Sequence, residues 1–212
     1  MAEEWILPRV GTPGNPLRLG VLISGSGSGM EALLRHQSQS NCIHTTNVVI
    51  SDRQDAEGLS KAEKRGVTAV IVPLPQVEDF NERRLIHEQE INQVLFDHGV
   101  ELVILSGYMR ILTPSFVKPW AGRLLNIHPS LLPDFPGAHA HRDAIAAKAR
   151  QSGCTVHFVD SGMDSGPIIS QASVEVLPSD DETTLAEKIK VEEHRIYPEV
   201  IDRLSAGDIE SP

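Results

Sequence analysis

From Leu17 onward, short runs of Val, Ile and Leu alternate with longer stretches whose apolar residues recur at helical spacing. The runs cover residues 18–23, 47–51, 68–72, 101–106 and 124–127, then 155–159 and 168–172. The first four are nearly continuous in apolar character, as strands buried on both faces of a parallel sheet are. Strand and helix in alternation mean βαβ units, so the pattern predicts an α/β fold: a single doubly wound, mostly parallel sheet flanked by helices, Rossmann-like in outline. One helix is expected over 55–65, where Lys64 and Arg65 stand at the negative helix end and Gly66 follows. A second is expected over about 77–98. A third should begin at Ser179-Asp180-Asp181-Glu182, which has capping-box spacing, and be kinked or interrupted at Pro198. Residues 1–16, with Pro8, Gly11, Pro13, Gly14 and Pro16, read as an irregular lead-in outside the fold; 17–208 form one domain and 209–212 a tail.

Composition narrows the partners. Of 212 residues, 40% are hydrophobic and 23% charged, enough apolar material for one sizeable domain. The net charge of −10 disfavours nucleic acid as a main partner and leaves small molecules. Cys42 and Cys154 are too few for a disulfide framework or a zinc cluster, which fits a reducing cytoplasm. No apolar run approaches the roughly 20 residues of a membrane span, and no signal-peptide pattern opens the chain. A soluble cytoplasmic protein without membrane partners is expected.

Three segments carry candidate chemistry. In Asn126-Ile127-His128-Pro129 the alternation of an extended strand puts Asn126 and His128 on one face, and Pro129 then ends regular pairing. An amide donor beside an imidazole can hold charge developing on a carbonyl oxygen, and the imidazole can move a proton, so acyl-type transfer is the first expectation. Asp164, in the tight loop Ser161-Gly162-Met163-Asp164-Ser165-Gly166-Pro167, could set the tautomer of His128. Against these stand plainer readings: a loop-capping Asn126, a satisfied histidine, and an aspartate that caps its own turn. The third segment, Ser24-Gly25-Ser26-Gly27-Ser28-Gly29-Met30, joins the first strand to the first helix. Its backbone N–H groups and the hydroxyls of Ser26 and Ser28 suit a phosphate. The glycine spacing fits neither a dinucleotide fingerprint nor a Walker motif.

Six motifs in order, namely the 24–29 loop, Gly107-Tyr108-Met109-Arg110-Ile111-Leu112, residues 126–133, His157-Phe158-Val159, Asp164-Ser165-Gly166-Pro167 and Glu193-His194-Arg195-Ile196-Tyr197-Pro198, resemble the phosphoribosylglycinamide formyltransferase family of folate-dependent enzymes over residues 17–204. The resemblance implies transfer of a formyl group from 10-formyltetrahydrofolate, as co-substrate, to the amine of glycinamide ribonucleotide in purine biosynthesis. Asn126, His128 and Asp164 would be catalytic. Gly25, Ser26, Gly27, Ser28, Gly29 and Glu193 would hold the ribonucleotide. Met109, Arg110, Ile111 and Leu112, with Asn126 and Arg84, would bind the folate, Arg110 near its acidic tail. No metal and no covalent enzyme intermediate is implied, and a homodimer is compatible with it. His139 and His141 would lie near the catalytic loop. Members of the family often carry asparagine where this chain has Ser26 and Gly29, so phosphate binding here would lean on backbone donors. Three alternatives stay open: a methionyl-tRNA formyltransferase, which resembles a longer protein; a formyltetrahydrofolate hydrolase, which has a further N-terminal domain; and a non-catalytic phosphate-binding protein.

Overall fold

The computed structural model describes residues 5–39 and 41–212. Among these residues seven strands, β1 (Leu17–Ile23), β2 (His44–Ser51), β3 (Thr68–Ile71), β4 (Leu102–Leu105), β5 (Leu124–His128), β6 (Gln151–Phe158) and β7 (Ile168–Glu175), form one sheet in the order β3-β2-β1-β4-β5-β6-β7. The first five are mutually parallel; β6 runs opposite to them and pairs antiparallel with both β5 and β7. Among the described residues six α-helices accompany them: α1 (Ser28–Gln37), α2 (Glu57–Lys64), α3 (Phe80–Asp97), α4 (Pro114–Val117), α5 (Ala140–Ala146) and α6 (Glu182–Ala206). None of the helices among the described residues is long and apolar enough to cross a membrane.

The sheet separates two cores, and the period of two along each strand decides which side chain enters which. Leu17, Leu19, Val21 and Ile23 of β1, with Leu102 and Ile104 of β4, face α1 and α6 through Met30, Leu33, Leu185, Ile189 and Val200. Leu22, Val103, Leu105 and Leu124 face the other way, against Ile91 and Leu95 of α3 and Phe116 and Val117 of α4. This two-sided burial is why the strands read as continuous apolar runs. After β1 the chain winds outward to β3, then returns to place β4 on the other side of β1. The carboxyl ends of β1 and β4 therefore diverge into a crevice, the usual ligand position in open α/β sheets.

Local boundaries depart from the sequence expectations in several places. α3 starts at Phe80 because the Asp79 side chain caps it, accepting from the Glu82 N–H at 2.7 Å. α6 is capped by Asp181 and Thr184, two residues later than the Ser179 spacing suggested. It runs through Pro198 without interruption, since buried Ile196, Tyr197, Val200 and Ile201 pin both sides of the proline to the sheet. Residues 5–16 contain no helix and no strand, yet they belong to the packed body. Trp5 and Leu7 lie against the α1/α6 core, Arg9 pairs with Glu101 at 2.7 Å, and the Gly11 N–H donates to the Ser205 carbonyl at 2.8 Å. Ile209, in the expected tail, joins the same core.

Candidate active site

A cleft of about 610 Å³ opens at the carboxyl ends of β1, β4 and β5. Its walls are residues 24–29, 105–112 and 126–129, the loop between β6 and β7, and Glu193 of α6. Asn126, His128, Asp164, Glu193, the glycine-serine loop and Met109 to Leu112 thus share one cavity. Arg84 stands apart from that wall: its guanidinium donates to the Ile111 carbonyl at 2.8 Å and lies over the Phe80 ring, so it holds the 109–112 loop from behind.

Asn126 and His128 share a face of β5 as the alternation requires, and the antiparallel register sets His157 opposite Asn126. His157 Nδ1 lies 2.8 Å from the Phe158 carbonyl, which can only accept, so Nδ1 carries the proton. Nε2 is then an acceptor, and the Asn126 amide donates to it at 3.1 Å. This fixes which way the Asn126 amide points and leaves its second N–H free for a ligand. Burial pulls the His157 pKa down, ahead of the opposing pull of its hydrogen bond and of Asp164, and keeps the ring neutral in that role. His157 was named within the motif His157-Phe158-Val159 but given no role; its part in aiming Asn126 depends on the antiparallel pairing of its run with β5, which one sequence does not display.

Asp164 reaches His128 with one carboxylate oxygen 3.4 Å from Nδ1, and its other oxygen is 3.9 Å from His157 Nε2. The Gly137 N–H donates to the first oxygen at 2.8 Å. His128 Nε2 lies 3.0 Å from the Phe135 carbonyl, so each ring nitrogen faces an acceptor and a proton taken up by the ring has a place on either side. Asp164 and Phe135 both adopt left-handed backbone, at φ 50° and 52°. Non-glycine residues do so at a cost of roughly 1–3 kcal/mol, and such strain gathers at functional sites. Behind Asp164, the Asp160 carboxylate accepts from the Gly162 N–H at 3.0 Å and the Ser165 hydroxyl at 2.9 Å, closing the loop on itself.

At the other end of the cleft, Gly27 takes a left-handed conformation (φ 64°) to turn β1 into α1. A Cβ there would come within 2.7 Å of Gly58, so glycine also lets α2 pack on the loop. No side chain caps α1, which leaves its first-turn N–H groups open for an anion. Glu193 faces the same region; burial raises its carboxyl to about 7, against a weaker opposite pull from Lys190. His141 also lines the cavity and is pulled down by burial. Met109 and Ile111, 75% and 65% exposed, offer an apolar lip at the mouth.

A further acid stands between the two loops. Asp52, directly after β2, accepts from the Ser24 hydroxyl at 2.7 Å and from Arg110 Nε at 2.5 Å. It was missing from the expected set, and its only sequence signal was a lone acid at the end of a buried strand. Among the described residues one group has metal-ligand potential, His36, His44 and Asp202, at the amino end of β2 and remote from the cleft. The His44 proton is already placed: the Thr46 N–H donates to Gln37 Oε1 at 3.1 Å, which turns the Gln37 amide nitrogen toward His44 Nδ1 at 2.9 Å. His44 Nε2 therefore carries the hydrogen and donates to Asp202 at 2.8 Å.

The formyl transferase family model matches residues 17–201. The trifunctional purine biosynthetic protein adenosine-3 of Drosophila pseudoobscura pseudoobscura is 42% identical over 192 residues, covering 90% of this chain and 14% of that protein. The chain thus spans about a seventh of the length of that relative. Phosphoribosylglycinamide formyltransferase of Escherichia coli (strain K12) is 39% identical over 193 residues, covering 90% of this chain and 88% of the relative. Among solved structures, glycinamide ribonucleotide transformylase 1 from Symbiobacterium toebii superposes with a TM-score of 0.84 at 42% identity, covering 92% of this chain and 91% of that one.

Proposed function

The chain belongs to the formyl transferase family, and we propose on that footing that it transfers a formyl group from 10-formyltetrahydrofolate to the amine of glycinamide ribonucleotide. The observation that carries this reading is the convergence of Asn126, His128 and Asp164 on a cleft whose far end is an open helix N-terminus. Such a cleft suits a phosphorylated substrate at one end and acyl chemistry at the other.

In the proposed reaction the amine nitrogen attacks the formyl carbon, forming a C–N bond as the carbonyl electrons move onto oxygen. The free N–H of Asn126, aimed by His157, donates to that oxyanion. His128 joins it when its Phe135 contact yields, a tightening commonly deferred until substrate binds. Asp164 orients His128 and accepts the ammonium proton, directly or through water; the oxyanion electrons then re-form the carbonyl, the C–N bond to the folate breaks, and the proton passes to the departing N10. Formylated ribonucleotide and tetrahydrofolate leave, with atoms and charge balanced. Glycinamide ribonucleotide phosphate sits on residues 25–29, and Glu193 meets the ribose or glycinamide portion. The folate lies along residues 109–112. The chain does this work with its own acid, base and donors.

The test is identification of the product by mass spectrometry after incubation of the chain with both substrates. The ribonucleotide gaining one formyl group is the expected outcome, and an unmodified ribonucleotide beside deformylated folate would reject the transfer.

A further inference from the structure

We infer that Asp52 is a positioning residue that braces the two substrate loops into one unit, so that a single carboxylate sets the affinity for both ligands. This rests on the two-substrate reading above and deepens it.

The bonding is continuous across the crevice. The Met109 N–H donates to Ser24 Oγ at 3.0 Å, the Ser24 hydroxyl donates to one Asp52 oxygen at 2.7 Å, and Arg110 Nε donates to the other at 2.5 Å. The Ser24 N–H adds a bond to the Gly107 carbonyl at 3.1 Å. Ser24 begins the anion-binding loop, while Met109 and Arg110 belong to the loop that follows β4. The Asp52 side chain is only 2% exposed, against 38% for Arg110. A carboxylate this far from water depends on its partners, and each partner is held in return.

Asp52 also changes what Arg110 does. With its guanidinium paired inward, Arg110 fixes the backbone course of residues 109–112 rather than standing as a free cation for an acidic ligand tail. The carbonyl of Ile111, tied from the other side by Arg84 at 2.8 Å, completes the bracing of that loop.

Steady-state kinetics with glycinamide ribonucleotide and 10-formylfolate on wild type, Asp52→Ala and Asp52→Asn test this, with thermal melting run on each. Asp52→Ala should raise KM for both substrates about tenfold while kcat stays within about twofold, the pattern of lost uniform binding. Asp52→Asn keeps an acceptor for Ser24 and loses the charge facing Arg110. It should return the ribonucleotide KM toward wild type and leave the folate KM raised. A lowered melting temperature with both KM values unchanged would show a merely structural residue and overturn the brace, as would a rise confined to one substrate in Asp52→Ala. If Asp52→Ala does not fold, the folate KM of Asp52→Asn decides alone. If wild type transfers no formyl group, the functional reading fails instead; the brace is then judged by titrating inorganic phosphate and folic acid separately into the same proteins, and unchanged affinities would reject it.

Discussion

Two clusters of one aspartate and two histidines occupy opposite ends of the sheet, and they are wired differently. Asp202 meets His36 and His44 at 2.7 and 2.8 Å, and His44 is held from behind by Gln37 at 2.9 Å. Asp164 meets His128 and His157 only at 3.4 and 3.9 Å, on a left-handed backbone, with the cavity in front of it. In the first, Asp202 ties α6 to α1 and β2 through short bonds to both rings. In the second, Asp164 makes no short bond to either ring and sits on a strained loop, while His128 and His157 stand on β5 and β6. Identical residue types are therefore closely bonded in one place and loosely held beside a cavity in the other, and the distinction lies in how tightly the aspartate is paired.

The sharpest way to break this contrast is to neutralise each aspartate in turn. Asp164→Asn should lower kcat by about 10²- to 10⁴-fold, the range for loss of a positioned acid–base group, with little change in the urea midpoint. His128→Ala should fall in the same range. Asp202→Asn should do the reverse: turnover per folded molecule unchanged, and a stability loss of about 1–2 kcal/mol in urea unfolding, discounted for the partial exposure of Asp202. Equal kinetic damage from both would erase the difference drawn between them.

His157 sharpens the contrast on a smaller scale. His157→Phe keeps the ring and removes the acceptor that aims Asn126, so kcat should fall about tenfold, less than the 10²–10³ of losing an oxyanion donor outright. The fall should persist across pH, since the ring works in its neutral form. Glu193 yields the smallest effect. Burial holds its carboxyl near 7 in the folded chain against 4.5 as the reference. Between those values the folded chain keeps a proton that the unfolded chain has released, so stability falls as pH rises through this window and levels off above it. Glu193→Gln should flatten that fall in ligand-free protein, measured by urea midpoints from pH 5 to 8.

The alternation along the strands made the sheet and its two-sided burial legible, because period two and buried apolar runs are local properties. Asn126 and His128 were legible for the same reason. Asp164 could be named but not placed, since its approach to His128 depends on a loop folding back across the sheet. His157 was named only within a motif, without a role, because it acts through a cross-strand register; Asp52 could not be picked out, since its partners lie 28 and 58 residues away. The packing of Trp5 and Leu7 was hidden by the prolines and glycines around them, which announce irregular backbone and say nothing of where apolar side chains go. Pro198 misled in the opposite sense, because tertiary contacts outweighed its local cost.

The most direct test of the central claim is acceptor dependence. Release of deformylated folate from 10-formyltetrahydrofolate, followed by absorbance, should require glycinamide ribonucleotide and match it mole for mole. Release at the same rate without the ribonucleotide would make water the nucleophile and contradict the account.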